Sequence, residues 1–356
     1  KQELILSYTN ELNTTYTVNL KPNSFVEEKT LQMGNGADTF QFLWCSDIHG
    51  VPGTSPSNTT YIGEIGRYMM DKYNIPFFVA SGDIMSQASH SNTTSIWNEY
   101  DKLNDMLSPI KNEEFLAIRG NHDGVYGSPT TYYGQANQYY HSFIGHKALY
   151  NAFMRRQSLD SYRRVFGHDG SYFYVDYHNY RIYMLNTHTF GDDSSNEQGQ
   201  AVYNGFRYPV IGTKQMQWIA DTLNTVKENQ QVIFVAHAPL NQEDDHTVFR
   251  SMLNSYISRG KGTHTVALSN TYWGTDAEYT NTTITVDFTN AKGSILGWFN
   301  GHIHNDTVNT SAYSMLPMFS ITTAGGDVRD SYYTNGTLTR TKGKATETAI
   351  DLVTIT

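Results

Sequence analysis

The chain has 356 residues and a formal net charge of −9, with 17% charged and 13% aromatic side chains. That length supports a large buried core and excludes a disordered chain, while the acidic balance excludes a broad nucleic-acid surface, whose affinity comes from Lys and Arg displacing counterions. The single cysteine, Cys45, excludes an intrachain disulfide, and no apolar run reaches the roughly 18 residues that suggest a membrane span.

Residues 1–39, with repeated Asn and Thr, read as a strand-rich lead-in to a main domain over 40–356. The first strong element is the strand-length run FQFLWC at 40–45, followed by Ser46-Asp47-Ile48-His49. In an extended segment, side chains two positions apart point the same way, so Asp47 and His49 are expected to reach one point, where a metal ion could sit. Next, IPFFVA at 75–80 runs into Ser81-Gly82-Asp83. A helix comes next in SNTTSIWNEYDKLNDML, with Ile96, Tyr100, Leu103 and Leu107 on one face. EFLAI at 114–118 then leads into Arg119-Gly120-Asn121-His122-Asp123.

Residues 125–170 read as an insertion, loop-like at first and then passing through NAFMRRQSLDSYRR, which has a helical pattern. Beyond it, RIYMLNT at 181–187 is strand-like and places His188 where it could line a site. GTKQMQWIADTLNTV puts Met216, Ile219, Leu223 and Val226 on one helical face. Finally VIFVA at 232–236 leads into His237, and ILGWF at 295–299 into Asn300-Gly301-His302-Ile303-His304.

Strand and helix alternate, so the class is α/β. Each ligand-capable cluster stands just past a strand, where a rigid sheet positions loops that remain free to vary. Gly82, Gly120 and Gly301 suit sharp turns that bring backbone close to a ligand. His90, His141, His146, His168, His178, His246 and His264 read as surface or loop residues.

The blocks Asp-x-His, Gly-Asp, Gly-Asn-His-Asp, a lone His and Gly-His-x-His, in this order over about residues 40–325, resemble the calcineurin-like metallophosphoesterase family. The resemblance implies a four-layer α/β/β/α sandwich, two mixed sheets flanked by helices. It also implies two divalent metal ions, one held by Asp47, His49 and His304, the other by Asn121, His237 and His302, with Asp83 bridging. Imidazole and carboxylate donors suit Mn²⁺, the expected ion, or Fe or Zn. Two cations sharing a water would supply hydroxide near neutral pH, and the resemblance makes His122 the general acid for hydrolysis of a phosphate ester. Asp123, counted with His122 among the catalytic residues, would either orient it or fix the turn.

Departures from known branches narrow the substrate. Ser86 and Gln87 replace the charged residues that come after the Gly-Asp block in serine/threonine protein phosphatases, and Ser86 with His49 contradicts the purple acid phosphatase pattern. Asp123 stands where 5′-nucleotidases carry Glu. A phosphodiester is therefore expected, with a phosphomonoesterase or nucleotide phosphatase as the alternative. The Tyr- and Asn-rich insertion resembles members from Gram-positive bacteria and their prophages, which raises teichoic acid as substrate and an extracellular, envelope or phage-particle location. Within it Arg155, Arg156, Arg163 and Arg164 could hold non-reacting phosphates of a polymer by charge-assisted hydrogen bonds. A different class remains: a particle-surface module that binds glycan or protein on the same scaffold. The sequence does not indicate an oligomeric state.

Overall fold

The computed structural model describes residues 4–9, 15–20, 40–49, 61–85, 93–123, 125–126, 142–143, 164–168, 170–188, 209–242, 245–268, 281–304, 307–309, 316–320 and 350–355. The chain divides into two compact units, Lys1–Phe42 with Leu352–Thr356, and Leu43–Asp351.

In the first unit, β1 (Leu4–Thr9) and β2 (Thr15–Leu20) form an antiparallel pair running from Leu4 opposite Leu20 to Thr9 opposite Thr15. β3 (Phe40–Cys45) ends in the second unit. There it is succeeded by α1 (Ile62–Tyr73), β4 (Phe78–Ala80), α2 (Thr93–Leu107) and β5 (Phe115–Ala117). β3, β4 and β5 are parallel, with Cys45 opposite Ala80 and Ala80 opposite Ala117. Tyr100, Leu103 and Leu107 of the expected helical face are buried. α1 lies against both β4 and α2 so closely that a Cβ on Gly66 would stand 2.5 Å from the Phe78 ring, and one on Gly63 2.2 Å from the Met106 carbonyl.

Within the insertion β6 (Val125–Tyr126) pairs with β7 (Ser142–Phe143), while the helical pattern over 151–163 lies outside the described residues. The larger sheet takes β8 (Val165–Phe166), β9 (Phe173–Tyr177) and β10 (Tyr180–Met184). α3 (Thr213–Leu223), β11 (Gln231–Ala236), α4 (His246–Ser258), β12 (Lys261–Ala267), β13 (Asn281–Asp287), β14 (Ser294–Asn300), β15 (Thr307–Asn309) and β16 (Met318–Ser320) complete that half. Its strand order is β15-β16-β14-β11-β10-β9-β8, parallel through the middle four and antiparallel at both ends. β17 (Asp351–Ile355) returns to the first unit, where Gln41 Nε2 donates to Thr354 Oγ1 at 3.0 Å.

The two sheets meet through aromatic rings. Trp44 of β3 packs edge-on against Phe299 of β14 with centroids 5.3 Å apart, and Phe77 meets Tyr177 of β9 at 5.0 Å. On the outer side of the larger sheet, Met216, Ile219, Leu223 and Val226 join Phe234, Phe249 and Trp298 in one buried cluster. Helices thus cover the outer faces and the expected four-layer sandwich is present. The β12–β13 hairpin adds to it: Thr283 and Thr285 donate their amides to Thr213 Oγ1 and Gln217 Oε1, and these α3 side chains, four residues apart, cover one edge of β13.

Parallel register brings the ligand-bearing loops together at one end of each sheet. Ala236 of β11 lies opposite Asn300 of β14, so His237 and the Gly301-His302 turn emerge side by side. β3 and β4 likewise finish together, which sets Asp47 beside Asp83.

Candidate metal centre

Six of the loop side chains meet in two groups whose ligand atoms lie within 4.8 Å of one another: Asp47, His49 and His304, and Asp83, His237 and His302; His122 forms a third such group with His49 and Asp83. In the first, His304 Nε2 stands 3.0 Å from Asp47 Oδ1 and 3.2 Å from His49 Nε2. In the second, Asn121 Oδ1 is 2.9 Å from both His237 Nε2 and His302 Nδ1, and Asp83 Oδ2 is 3.1 Å from His237 Nε2. Donors about 2.0–2.2 Å from a shared cation stand roughly 3.0–3.5 Å from one another. The separations are those of coordination shells, and the donor set of imidazoles, carboxylates and one amide fits divalent cations at both groups.

Asp83 stands between them, its Oδ2 3.8 Å from His49 Nε2 and 3.1 Å from His237 Nε2. The His122 amide donates to its other oxygen, Oδ1, at 2.7 Å, so Oδ2 is the atom turned to both groups. Asp47 is divided in the same way: the His302 amide donates to Oδ2 at 2.9 Å while Oδ1 faces His304. At His237, Nδ1 lies 2.9 Å from the Ser81 carbonyl. Donation to that oxygen places the proton on Nδ1 and leaves the Nε2 lone pair for a metal.

The backbone is as unusual as the side chains. Among the described residues, eight non-glycine positions have positive φ, and Asp47 (51°), His49 (43°), Asp83 (50°), His302 (68°) and His304 (54°) are five of them. Each such residue costs on the order of 1–3 kcal/mol. Asp47 and His49 therefore do not converge by strand alternation, as the sequence suggested. Their chain has left the strand, with the Asp47 and His49 amides donating to the Gly82 and Asp83 carbonyls at 2.9 and 3.1 Å.

Close approach explains two glycines. A Cβ on Gly301 would stand 1.9 Å from Ser46 Oγ and 2.3 Å from Asp47 Oδ2, and one on Gly120 would stand 2.2 Å from Asp83 Oδ1.

Charge is concentrated in the cluster. Burial opposes ionisation of Asp47, but His237, His304 and His49 outweigh it and hold the carboxyl well below its ordinary range. Asp83 behaves alike, with His237, His122 and His49 overcoming burial. His237, against its burial, is raised to about 9 by Asp83 and Asp47. Burial, then His237, pushes His302 down to about 4.

His122 adjoins the groups: its ring lies edge-on to His49 at 4.6 Å and its Nε2 is 3.9 Å from Asp83 Oδ2. Burial, only partly opposed by Asp83, lowers it to about 3, so the imidazole is neutral in the metal-free cluster. The Met85 and Gly120 amides donate to the two oxygens of Asp123 at 2.8 and 2.7 Å, tying two ligand loops together as the turn role requires. His188 is buried with its ring 5.7 Å from that of His237. Burial, reinforced by His237 and His302, lowers its pKa well below the ordinary value.

Arg164 differs from the expected phosphate contact. It is buried, and its Nη2 donates to the carbonyls of Asn112, Glu113 and Phe115, so it braces the chain entering β5. Arg155, Arg156 and Arg163 lie outside the described residues. Sequence reasoning missed Ser81, whose carbonyl sets the His237 tautomer. A main-chain acceptor leaves no trace in residue identity.

A family model described as calcineurin-like phosphoesterase matches residues 40–306. No curated protein matches the chain. Among solved structures, a dimetal phosphatase from Danio rerio is similar at 11% identity and a TM-score of 0.46, covering 80% of this chain and 87% of its own. GAP50, the anchor in the inner membrane complex of Plasmodium, is similar at 10% identity and a TM-score of 0.39, with 80% and 71% covered. Phosphopantetheinyl hydrolase from Mycobacterium tuberculosis is similar at 14% identity and a TM-score of 0.32, with 80% and 89% covered.

Proposed function

The chain belongs to the calcineurin-like phosphoesterase family, a family of metal-dependent phosphoester hydrolases, and from that premise we propose that it cleaves a phosphodiester with His122 as general acid. The observation that carries the reading is the position of His122. Its amide is fixed by Asp83 and its ring lies within ligand range of His49 and Asp83, while the seven ligands expected from the family make up both groups among themselves, which leaves His122 for proton transfer.

Bound in the two groups, divalent cations supply Lewis acidity, activating water as a nucleophile near neutral pH and offsetting charge on phosphoryl oxygens. Asp47, His49 and His304 would hold one, Asn121, His237 and His302 the other, and Asp83 Oδ2 both. Mn²⁺ is our choice of ion, on the mixed nitrogen and oxygen donor set.

His122 has the task of protonating the leaving alkoxide. Burial keeps it neutral in the metal-free protein, so it must gain a proton before it can pass one to the alkoxide. This role matters more for an alkoxide than for a phenolate, which leaves without help.

The proposed natural substrate is an envelope polymer of the teichoic acid class. Arg155, Arg156 and Arg163 with the neighbouring tyrosines support it from the sequence alone. An extracellular, envelope or phage-particle location accompanies that proposal. No helix among the described residues is long and apolar enough to cross a membrane.

The test is phosphate and alcohol release by chelated and Mn²⁺-reconstituted protein from bis(p-nitrophenyl) phosphate, p-nitrophenyl phosphate and purified teichoic acid. Diester cleavage restored by metal is expected. Turnover of the monoester alone would replace the diesterase reading with a phosphomonoesterase, and metal binding without any turnover would favour a binding module.

A further inference from the structure

One buried nitrogen near the centre lacks a hydrogen-bond partner among the described residues. His188 comes after β10 and is 1% exposed, and its Nε2 finds no hydrogen-bond partner among the described residues. A buried unsatisfied polar atom costs about 1–3 kcal/mol, and native structures carry few of them.

The surroundings hold this ring in place with some care. Val210 forms a parallel bridge to His188 and donates its amide to the Thr187 carbonyl at 2.8 Å. The His188 amide donates to Asn186 Oδ1 at 2.8 Å. Asn186 is fixed in turn by Gln215, which accepts its amide at 2.9 Å and donates to its carbonyl at 2.6 Å, and by Ser171 Oγ at 3.0 Å from its Nδ2. The chain entering the histidine is therefore tied by hydrogen bonds to Ser171, Val210 and Gln215.

The same contacts supply a partner for the other ring nitrogen. Thr187 Oγ1 accepts from the Ala238 amide at 3.4 Å and lies 3.2 Å from His188 Nδ1. Its hydroxyl can donate to Nδ1, and in that arrangement Nδ1 is the acceptor and the ring proton sits on Nε2. The ring packs on His237, whose own Nε2 belongs to a ligand group.

We infer that His188 is a substrate-binding residue whose Nε2–H donates to a phosphoryl oxygen held on the His237 side of the centre. A nitrogen carrying its proton is a donor to an anion and not a metal ligand, so His188 adds to the coordination sites without joining them. The inference rests on the phosphoester hydrolase reading, and orthophosphate, the smallest ligand with the same oxygens, probes it without turnover.

The test measures orthophosphate affinity calorimetrically on metal-loaded protein, with metal content counted in parallel, for the unaltered chain, His188→Ala and His188→Asn. Alanine is expected to keep both metals and weaken orthophosphate by about tenfold to a hundredfold, the loss of one hydrogen bond to a charged group. Asparagine, which retains a donor, should recover part of that loss. Unchanged affinity in His188→Ala, or loss of a metal, overturns the inference. If the alanine variant does not fold, nitrogen-15 histidine spectra of the unaltered protein with diamagnetic metal decide: orthophosphate should shift the His188 Nε2 signal, and a signal that stays put overturns it. Two bound metals with no hydrolysis of any ester would instead count against the hydrolase reading, while phosphate affinity would still report on His188.

Discussion

The main-chain amide of His302 donates to Oδ2 of Asp47 at 2.9 Å, and this bond directs Oδ1 of the same carboxylate to His304. Asp47→Asn should therefore do more than remove a charge. The amide of His302 needs an acceptor, so the asparagine oxygen turns to it and the NH₂ group faces His304 and the metal. One metal per chain instead of two is expected, with the remaining one on the His237 side. Two metals at wild-type affinity by elemental analysis would contradict this division of labour.

The ligand sets can be separated from the acid. His237→Ala should lose metal chiefly at one position, while His122→Ala should keep both and lose roughly 10²–10⁴ in rate on an alkyl leaving group. The loss should shrink on bis(p-nitrophenyl) phosphate. Equal losses on the two substrates would remove the acid role.

Metal affinity should depend on pH with a known sign. His237 is held at about 9 in the metal-free protein, against an ordinary value of 6.5. Below 9 a proton occupies its ring and must leave when metal binds, so apparent affinity should rise by about tenfold per pH unit up to that point and then level. The raised value also means that His237 stabilises the metal-free fold fully below 6.5 and loses that contribution as pH rises through 9. Calorimetry in buffers of different ionisation enthalpy counts the proton directly. No proton release at pH 7 would show that another arrangement holds the ring.

Gly301→Ala should damage the site without touching a ligand. The new methyl would overlap Ser46 Oγ and Asp47 Oδ2, and relieving such overpacking costs about 1–3 kcal/mol. Weaker metal binding and a lower melting temperature are expected together. Adding Ser46→Ala should recover part of the melting temperature but not the metal, because the carboxylate remains displaced.

Chelation should lower the melting temperature of the unaltered protein, and Mn²⁺ should restore it in a concentration-dependent way. The five ligands held at positive φ are destabilising by themselves, and metal bonds offset that strain. A melting temperature indifferent to chelator would mean that hydrogen bonds alone sustain the geometry.

Much of the fold and site was legible in the sequence, for a physical reason. The apolar run VIFVA is a strand buried on both faces, and ILGWF becomes so from Gly297 onward. A polar residue placed directly after such a run has nowhere to go but the sheet end. His237 and His302 could be located that way. The hairpin of β12 and β13 was not, because its Thr-rich alternation resembles an ordinary polar loop until α3 supplies Thr213 and Gln217 to its edge. Nor could the sequence show that Asp47 and His49 converge through positive φ instead of strand alternation, since Asp and His, although enriched in that conformation, adopt it at only a small minority of positions. Arg164 looked like one of four equivalent arginines, and only tertiary packing separates it by giving it three carbonyls.

The separation of Asp47 from His302 along the chain, 255 positions, bears on how the protein is made. Its ligands come from the ends of strands in two different sheets, and no short segment contains enough of them to hold an ion firmly. Neither centre can nucleate folding in the manner of a zinc finger. The cost of closing so long a loop is met by hydrophobic packing before any coordination bond can reward it. Metal capture is accordingly expected to follow assembly of both sheets, and a ribosome-bound chain that has not yet exposed the residues after β14 should be blind to ions that the folded chain retains.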